Sequence, residues 1–260
     1  MSYITTVTGK HFYPMDPENQ EFDIIDIAHA LSLICRGNGH IRFFYSVAQH
    51  SIACAAEAIE RGYSLEVILG CLLHDASEAY LSDVTRPVKK DLPRYLLAEE
   101  RLQNAIWQHF IGRYLTVDEQ KQIFEIDDMM LSAECHQLMP EELNEDFNKI
   151  SSEFICVYQN PQEVKEQFIR LQRILKNEIR MREAEELVLK GENSDRLQHL
   201  IAELEAYYTS EEWKQDLAAD KAGLFPKVLR RGVLSEDGIY NLLQEYNEVS
   251  NEKNNRRKTE

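Results

Sequence analysis

No apolar run in this chain reaches the length of a membrane span, because acidic or basic residues interrupt every candidate. The beginning, Met1-Ser2-Tyr3-Ile4-Thr5, has no basic stretch leading into an apolar one, so export is not expected and a cytoplasmic location is. Paired cysteines are missing too. Cys35, Cys54, Cys71, Cys135 and Cys156 are odd in number, widely spaced and without a CxxC motif. Thiols such as Cys71, in Gly70-Cys71-Leu72-Leu73, are therefore expected to be reduced core residues. Basic charge is scarce: 29 Lys and Arg face 45 Asp and Glu, for a net charge of -16. Long nucleic acid is not an expected partner, because binding it requires a basic face. A small phosphorylated ligand stays open. It would need a local basic pocket inside an acidic field, which makes the few bases near any motif informative.

What is present reads as almost entirely helical. From Ser46 to Arg61, Val47, His50, Cys54 and Ala58 fall on one stripe at helical spacing. Leu65 to Tyr80 reads as one buried helix, and Leu96 to Arg113 and Thr116 to Met139 as two more. Ile4 to Val7 reads as extended, Pro87 and Pro93 bracket a loop, and Pro140 stops a helix. The texture changes near Tyr158-Gln159-Asn160-Pro161, which divides the chain into residues 1–160 and 161–260. Beyond it, Val164, Phe168, Leu171, Leu175 and Ile179 make one stripe, Lys190 to Ser194 a turn, and Leu197, Leu200, Ile201 and Leu204 a second stripe. That pattern predicts an antiparallel helical hairpin. Thr209 with Glu212 has capping-box spacing, Ser235 is placed to start the last helix, and the polar end from Asn251 is expected to fray. The expected fold class is all-α.

The residues that carry chemistry are His50, the doublet His74-Asp75, and Asp127. Imidazole and carboxylate together suit a divalent cation such as Mn²⁺, Co²⁺, Fe²⁺, Ni²⁺ or Mg²⁺. Adjacent residues on a helix splay by about 100 degrees. A long His and a short Asp still converge if the helix passes the ion tangentially. Singly, each of these residues has a plain structural explanation, a packed histidine or a chance doublet. Glu78, four residues past His74, is expected on the same helical face. Ser82 to Lys89 then supplies another carboxylate, Asp83, and the bases Arg86 and Lys89 in a loop.

His50, His74-Asp75 and Asp127 match the H…HD…D order of the HD superfamily. Ile34-Cys35-Arg36, Gly39-His40, Tyr45-Ser46-Val47-Ala48-Gln49-His50, His74-Asp75-Ala76-Ser77-Glu78-Ala79-Tyr80 and Asp83 resemble the short HD-domain 5'-deoxynucleotidases. The spacing from Asp127 to Glu134 and Leu138-Met139 fits their phage and prophage-borne branch, and the resemblance spans Ile4 to Pro140. It implies an HD-type helical bundle with one divalent metal ion on His50, His74, Asp75 and Asp127, Asp128 being the alternative for the last place. By the same resemblance Glu78 is the catalytic glutamate, Asp83 contacts the substrate and Arg36 binds its phosphate. Lys89 is a further phosphate contact, against its alternative as a solvated loop residue, and Arg36 has an alternative as the ion-pair partner of an acid. Gly37 departs from the pattern, since relatives carry an aromatic residue there, and this leaves base and sugar selection open.

Tyr207 to Trp213, Gly223 to Lys227 and Arg231 to Asp237 resemble a small bacterial domain of unknown function, DUF4298, over about Phe168 to Glu248. The acids there lack His or Cys at ligand spacing, so this part is expected to act as an oligomerisation or protein-partner module. The expected activity is metal-dependent hydrolysis of a deoxynucleoside 5'-monophosphate. The alternatives are a dNTP triphosphohydrolase releasing tripolyphosphate, and a nucleotide-sensing module in which Glu78 would be superfluous.

Overall fold

Where helices begin follows capping chemistry. The computed structural model describes residues 2–139, 150, 154–192, 194–235 and 237–257. They form an all-α chain whose described sheet is one two-stranded hairpin, β1 (Ile4–Thr5) antiparallel to β2 (His11–Phe12) with Ile4 opposite Phe12. The chain divides into two compact units, Met1–Gln172 and Arg173–Glu260.

In the first unit Asp23 caps α1 (Ile24–Leu33) by accepting from the Ile25 amide. Ser46 opens α2 (Val47–Glu60) with a full capping box, its hydroxyl accepting from the Gln49 amide while the Gln49 side chain accepts from the Ser46 amide. Ser64 caps α3 (Leu65–Leu72). The short α4 (Glu78–Leu81) and α5 (Arg86–Lys89) follow, then α6 (Pro93–Ile111), which stops at left-handed Gly112. Thr116 and Glu119 form a second capping box at α7 (Val117–Leu138). Helix α7 ends as expected before Pro140, which itself lies outside the described residues; Met139 is already extended, the conformation a following proline favours.

Helix α3 packs against α2, α6 and α7, and α2 also against α1 and α7. Their facing stripes bury Ile27, Leu31, Leu69, Leu72, Leu102, Ile106, Ile123, Ile126 and Met130 with almost no exposure. Burial on this scale, at about 25 cal/mol per Å² of apolar surface, is the main stabilising term.

Two expectations for the first unit need correction. The predicted continuous helix from Leu65 to Tyr80 is broken, because α3 ends at Leu72 and the chain turns through Leu73–Ser77 before α4. The loop expected after Ser82 contains one helical turn, α5, with Pro87 in its first turn where no amide partner is required.

Helix α8 (Pro161–Leu189) contains the division between the units, and α9 (Asp195–Tyr208), α10 (Glu211–Lys221) and α11 (Gly238–Arg257) complete the second. Helix α9 packs against α10 and α11 and buries Leu197, Leu200, Ile201 and Leu204, the predicted stripe. The cap of α10 is Ser210, not Thr209: Ser210 Oγ accepts from the Trp213 amide at 3.1 Å, while the Thr209 hydroxyl donates back to the Glu205 carbonyl. The last helix starts at Gly238 rather than Ser235, whose amide is engaged in a turn with the Gly232 carbonyl. A Cβ at Gly238 would lie 2.2 Å from that same carbonyl, so only glycine lets the turn close before the helix begins. Helix α11 carries through 251–257, part of the tail expected to fray, and 258–260 lie outside the described residues. Among the described residues no helix is long and apolar enough to cross a membrane.

At the α3–α7 crossing, a Cβ on Gly70 would lie 2.4 Å from Ile123 Cδ1. Gly70→Ala is expected to destabilise the first unit by about 1–3 kcal/mol, the usual range for overpacking. Adding Ile123→Val, which deletes that Cδ1, should recover part of the loss in denaturant titrations. Equal stability of Gly70→Ala and the unmodified protein would refute this close packing.

Candidate functional site

The break after α3 is held open by side chains that take over the carbonyls the helix releases. Trp107 Nε1 donates to the Gly70 carbonyl at 3.3 Å and His74 Nδ1 to the Cys71 carbonyl at 2.7 Å. Gln103 Nε2 donates to the Leu73 carbonyl at 2.7 Å, while Gln103 Oε1 accepts from the Ser77 amide at 3.0 Å. One buried amide on α6 thus clamps both ends of the turn. The doublet His74-Asp75 is presented from this turn, not from a helix passing tangentially, and so both side chains face the same spot.

That spot gathers the four sequence-predicted donors. His50 Nε2 lies 3.1 Å from His74 Nε2, 3.1 Å from Asp127 Oδ1 and 3.8 Å from Asp75 Oδ2. His74 Nε2 lies 3.3 Å from Asp75 Oδ2 and 3.6 Å from Asp127 Oδ1. The far sides of the rings fix their tautomers. A carbonyl only accepts, so His74 Nδ1 carries its hydrogen toward Cys71. His50 Nδ1 is 2.8 Å from Glu134 Oε1 and donates to that carboxylate. In their neutral forms both Nε2 atoms therefore present lone pairs to each other and to two carboxylates. Donors held about 2.1 Å from one shared ion lie roughly 3.0–3.5 Å apart, close to these separations.

His50, Cys54 and His74 also form a buried group with potential donor atoms within 4.8 Å of one another, enough to hold a metal ion. Within that group Cys54 Sγ lies 3.6 Å from His50 Nε2 and 3.9 Å from Nδ1. A sulfur sharing an ion with Nε2 would stand roughly 5 Å from Nδ1 at ordinary bond lengths. Cys54 therefore packs against the imidazole, and Asp75 and Asp127 are better placed as partners of the two rings.

The electrostatics draw positive charge into the cluster. Burial and Arg36 press His50 toward its neutral form, but Glu134 and Asp127 outweigh them and its pKa is raised. Burial likewise opposes the charged form of His74, yet Asp75 and Asp127 hold its pKa well above the ordinary value. Asp127 is well below the carboxylate range despite burial, because both imidazoles bond to it, and Asp75 is lowered too by His74, His50 and Arg36.

Asp75 and Asp127 front a cavity of about 430 Å³. Its wall carries five carboxylates, Asp75, Glu78, Asp83, Asp127 and Glu134, against three cations, Arg36, Arg86 and Lys89. Ile41, Leu131, Leu138 and Met139 form an apolar side. Each cation is engaged: Arg36 with Asp75 at 3.3 Å and Glu134 at 3.4 Å, Arg86 with Asp127 at 2.7 Å and Asp128 at 2.6 Å, Lys89 with Glu99 at 2.6 Å and Glu78 at 3.4 Å. Asp128, at 63% exposure, points away from the cluster as the partner of Arg86. Gly37, with φ +57, also lines the cavity and leaves open the place of a larger side chain.

Glu78 is 3% exposed, with Oε1 near Lys89 and no hydrogen-bond partner for Oε2. Burial raises its pKa well above the ordinary value, aided by Asp75 and Asp83 and opposed by Lys89 and Arg36. Asp83 is raised as well, chiefly by burial. All eight predicted residues therefore surround one site, though Arg36 and Lys89 do so as ion-pair partners of its carboxylates. Sequence reasoning missed the roles of Gln103 and Arg86, and used Glu134 only as a spacing marker. Glu134 stands about two helical turns past Asp127, a signal that places both on one face of α7. Gln103 and Arg86 carry no comparable signal.

Residues 170–254 match a family described as a domain of unknown function (DUF4298). The chain is 41% identical to the uncharacterized protein YfdR of Escherichia coli over 110 residues, 42% of this chain and 59% of that one. It is 34% identical to an uncharacterized protein of Rhodobacter capsulatus over 110 residues, 40% of this chain and 56% of that one. The chain thus spans somewhat over half the length of these curated relatives.

Burial penalises the ionised form of Glu78, so its pKa in the folded protein lies above its unfolded value. Its contribution to stability is full below the ordinary carboxylate range and is lost as pH rises through the raised value. In chelator-treated protein, Glu78→Gln is therefore expected to gain stability over the unmodified chain at about pH 8 and to gain less at about pH 5. Urea denaturation at both values checks this, and a loss at the higher pH would refute the account.

Proposed function

We propose that the chain is a metal-dependent phosphohydrolase of the HD type acting on deoxynucleoside 5'-monophosphates. The observation that carries this reading is the convergence of four acceptor atoms, from His50, His74, Asp75 and Asp127, beside a cavity walled by Arg36, Lys89 and the buried Glu78. A mixed nitrogen and oxygen set suits Mn²⁺, Co²⁺, Fe²⁺, Ni²⁺ or Mg²⁺. When bound, such an ion supplies Lewis acidity toward a phosphoryl oxygen and lowers the pKa of water.

The chain's own residues supply the rest. Arg36 lines the cavity from a largely buried position, its guanidinium fixed in place by Asp75 and Glu134, and a bound phosphate would share that cation with them. Lys89 adds a point charge at the same wall. Glu78 has the burial and neighbours that favour its protonated form, and from Oε2 it would pass that proton to the ester oxygen that leaves. Asp83 offers a hydrogen-bond acceptor for a sugar hydroxyl, and the apolar side accommodates a base. The charge balance favours a monophosphate. A dication would offset the excess of two carboxylates over cations at the wall, whereas the additional charge of a triphosphate would need cations beyond three that are already paired. A pocket that only sensed nucleotide would gain nothing from a buried proton carrier.

Incubating the protein with deoxynucleotides and each of these metals, and separating the products by chromatography, tests the reaction. Inorganic phosphate and nucleoside are expected from monophosphates. Tripolyphosphate from dNTPs with monophosphates untouched would replace this reading with the triphosphohydrolase one. Asp75→Ala is expected to abolish both bound metal, by elemental analysis, and turnover. Glu78→Ala should retain metal but lose about 10²-fold or more in turnover. Loss of metal in Glu78→Ala would make Glu78 a ligand instead.

A further inference from the structure

We infer that Glu134 is a positioning residue that fixes which ring nitrogen His50 presents to the donor cluster and braces Arg36 at the same time. The inference rests on the metal reading above. Glu134 is on α7 and 2% exposed, so the helix that supplies Asp127 also supplies this carboxylate from behind. Its two oxygens serve different partners: Oε1 lies 2.8 Å from His50 Nδ1, and Oε2 lies 3.4 Å from Arg36 Nη2.

An imidazole free at Nδ1 exchanges between tautomers, and the wrong one would direct an N–H at His74 and Asp127 and remove a donor. An ionised carboxylate accepts only, so Glu134 assigns the hydrogen to Nδ1 and the lone pair to Nε2. Cys54 contributes differently. Its Sγ restricts ring rotation, at 3.6 and 3.9 Å from the two nitrogens, but so even a contact cannot select between them. Selection falls to Glu134. The bond to Arg36 links that selection to the cavity wall, because Arg36 Nη1 is in turn 3.3 Å from Asp75. One buried carboxylate thus registers an imidazole donor and a cavity-lining cation against each other.

The test compares the unmodified chain with Glu134→Leu and Glu134→Gln. Calorimetric titration of chelator-stripped protein with Zn²⁺ reads affinity, and proton–nitrogen NMR of the stripped protein reads the Nδ1–H signal of His50, assigned by its absence in His50→Gln. Glu134→Leu is expected to bind about 10–100-fold more weakly and to lose that signal. Glu134→Gln keeps a neutral acceptor, so it should retain most of the affinity with the signal shifted. A folded Glu134→Leu with unchanged affinity and signal overturns the inference. If Glu134→Leu does not fold, Glu134→Gln decides, since a His50 signal identical to that of the unmodified protein overturns the inference and a shifted one supports it. An unmodified protein that takes up no metal overturns both this inference and the metal reading, and is told apart by its own titration.

Discussion

Four acceptor atoms confined to one buried spot cannot be held there unless positive charge is shared among them. Much of the first unit can be understood from that constraint. Each of the four side chains is braced by a further partner: His74 donates to the Cys71 carbonyl and His50 to Glu134, while Asp127 accepts from Arg86 and Asp75 from Arg36. The imidazoles are drawn toward protonation although burial disfavours it, and the aspartates toward ionisation against the same burial. Protons answer this demand, and a divalent cation would answer it in the same place.

Bringing adjacent residues to one point requires a departure from helical geometry, and such a departure releases backbone groups that need new partners. The turn after α3 meets this need with Gln103, Trp107 and His74 itself. An amide spanning the turn is more exacting than a helix, because a shift of either end breaks a bond at the other. The break thereby gains a defined geometry, and the doublet gains a rigid mount from α6. Positioning of this kind from ordered elements is what a site of close tolerance needs.

How far the sequence made this legible depends on range. The stripes of α2, α6, α7 and α9 are visible as apolar periodicity, and Ser46 and Thr116 as caps, because both signals lie within a few residues. His50, His74, Asp75 and Asp127 could be named from their order along the chain. The interruption at Leu73–Ser77 could not be foreseen, since its cause is Gln103, thirty residues on in the bond it makes to Leu73. Periodicity reads Leu65 to Tyr80 as continuous because the segment's apolar residues stay buried through the turn. At Thr209-Ser210 the ambiguity is local: either hydroxyl fits a cap, and the choice is settled when Thr209 donates back to Glu205. Arg86 was visible only as a base in a loop; its pairing with Asp127 and Asp128 depends on how α5 and α7 are brought together.

Two buried carboxylates, Asp216 and Glu78, are treated differently. In the second unit Asp216 is fully buried, and both of its oxygens are satisfied, Oδ1 and Oδ2 by Arg173 at 2.6 and 2.7 Å and Oδ2 also by Tyr207 at 2.9 Å. Such a closed network specifies packing and leaves nothing available to a ligand. Glu78 in the first unit is comparably buried, yet Oε2 has no partner and its other oxygen has only a distant lysine. Leaving a buried polar atom unsatisfied costs about 1–3 kcal/mol, and more when the group is charged. The chain could have avoided that cost with a hydrophobic residue of similar size. Retaining the acid at the cavity wall is understandable if its proton is used there, and Asp216 has no such vacancy to fill.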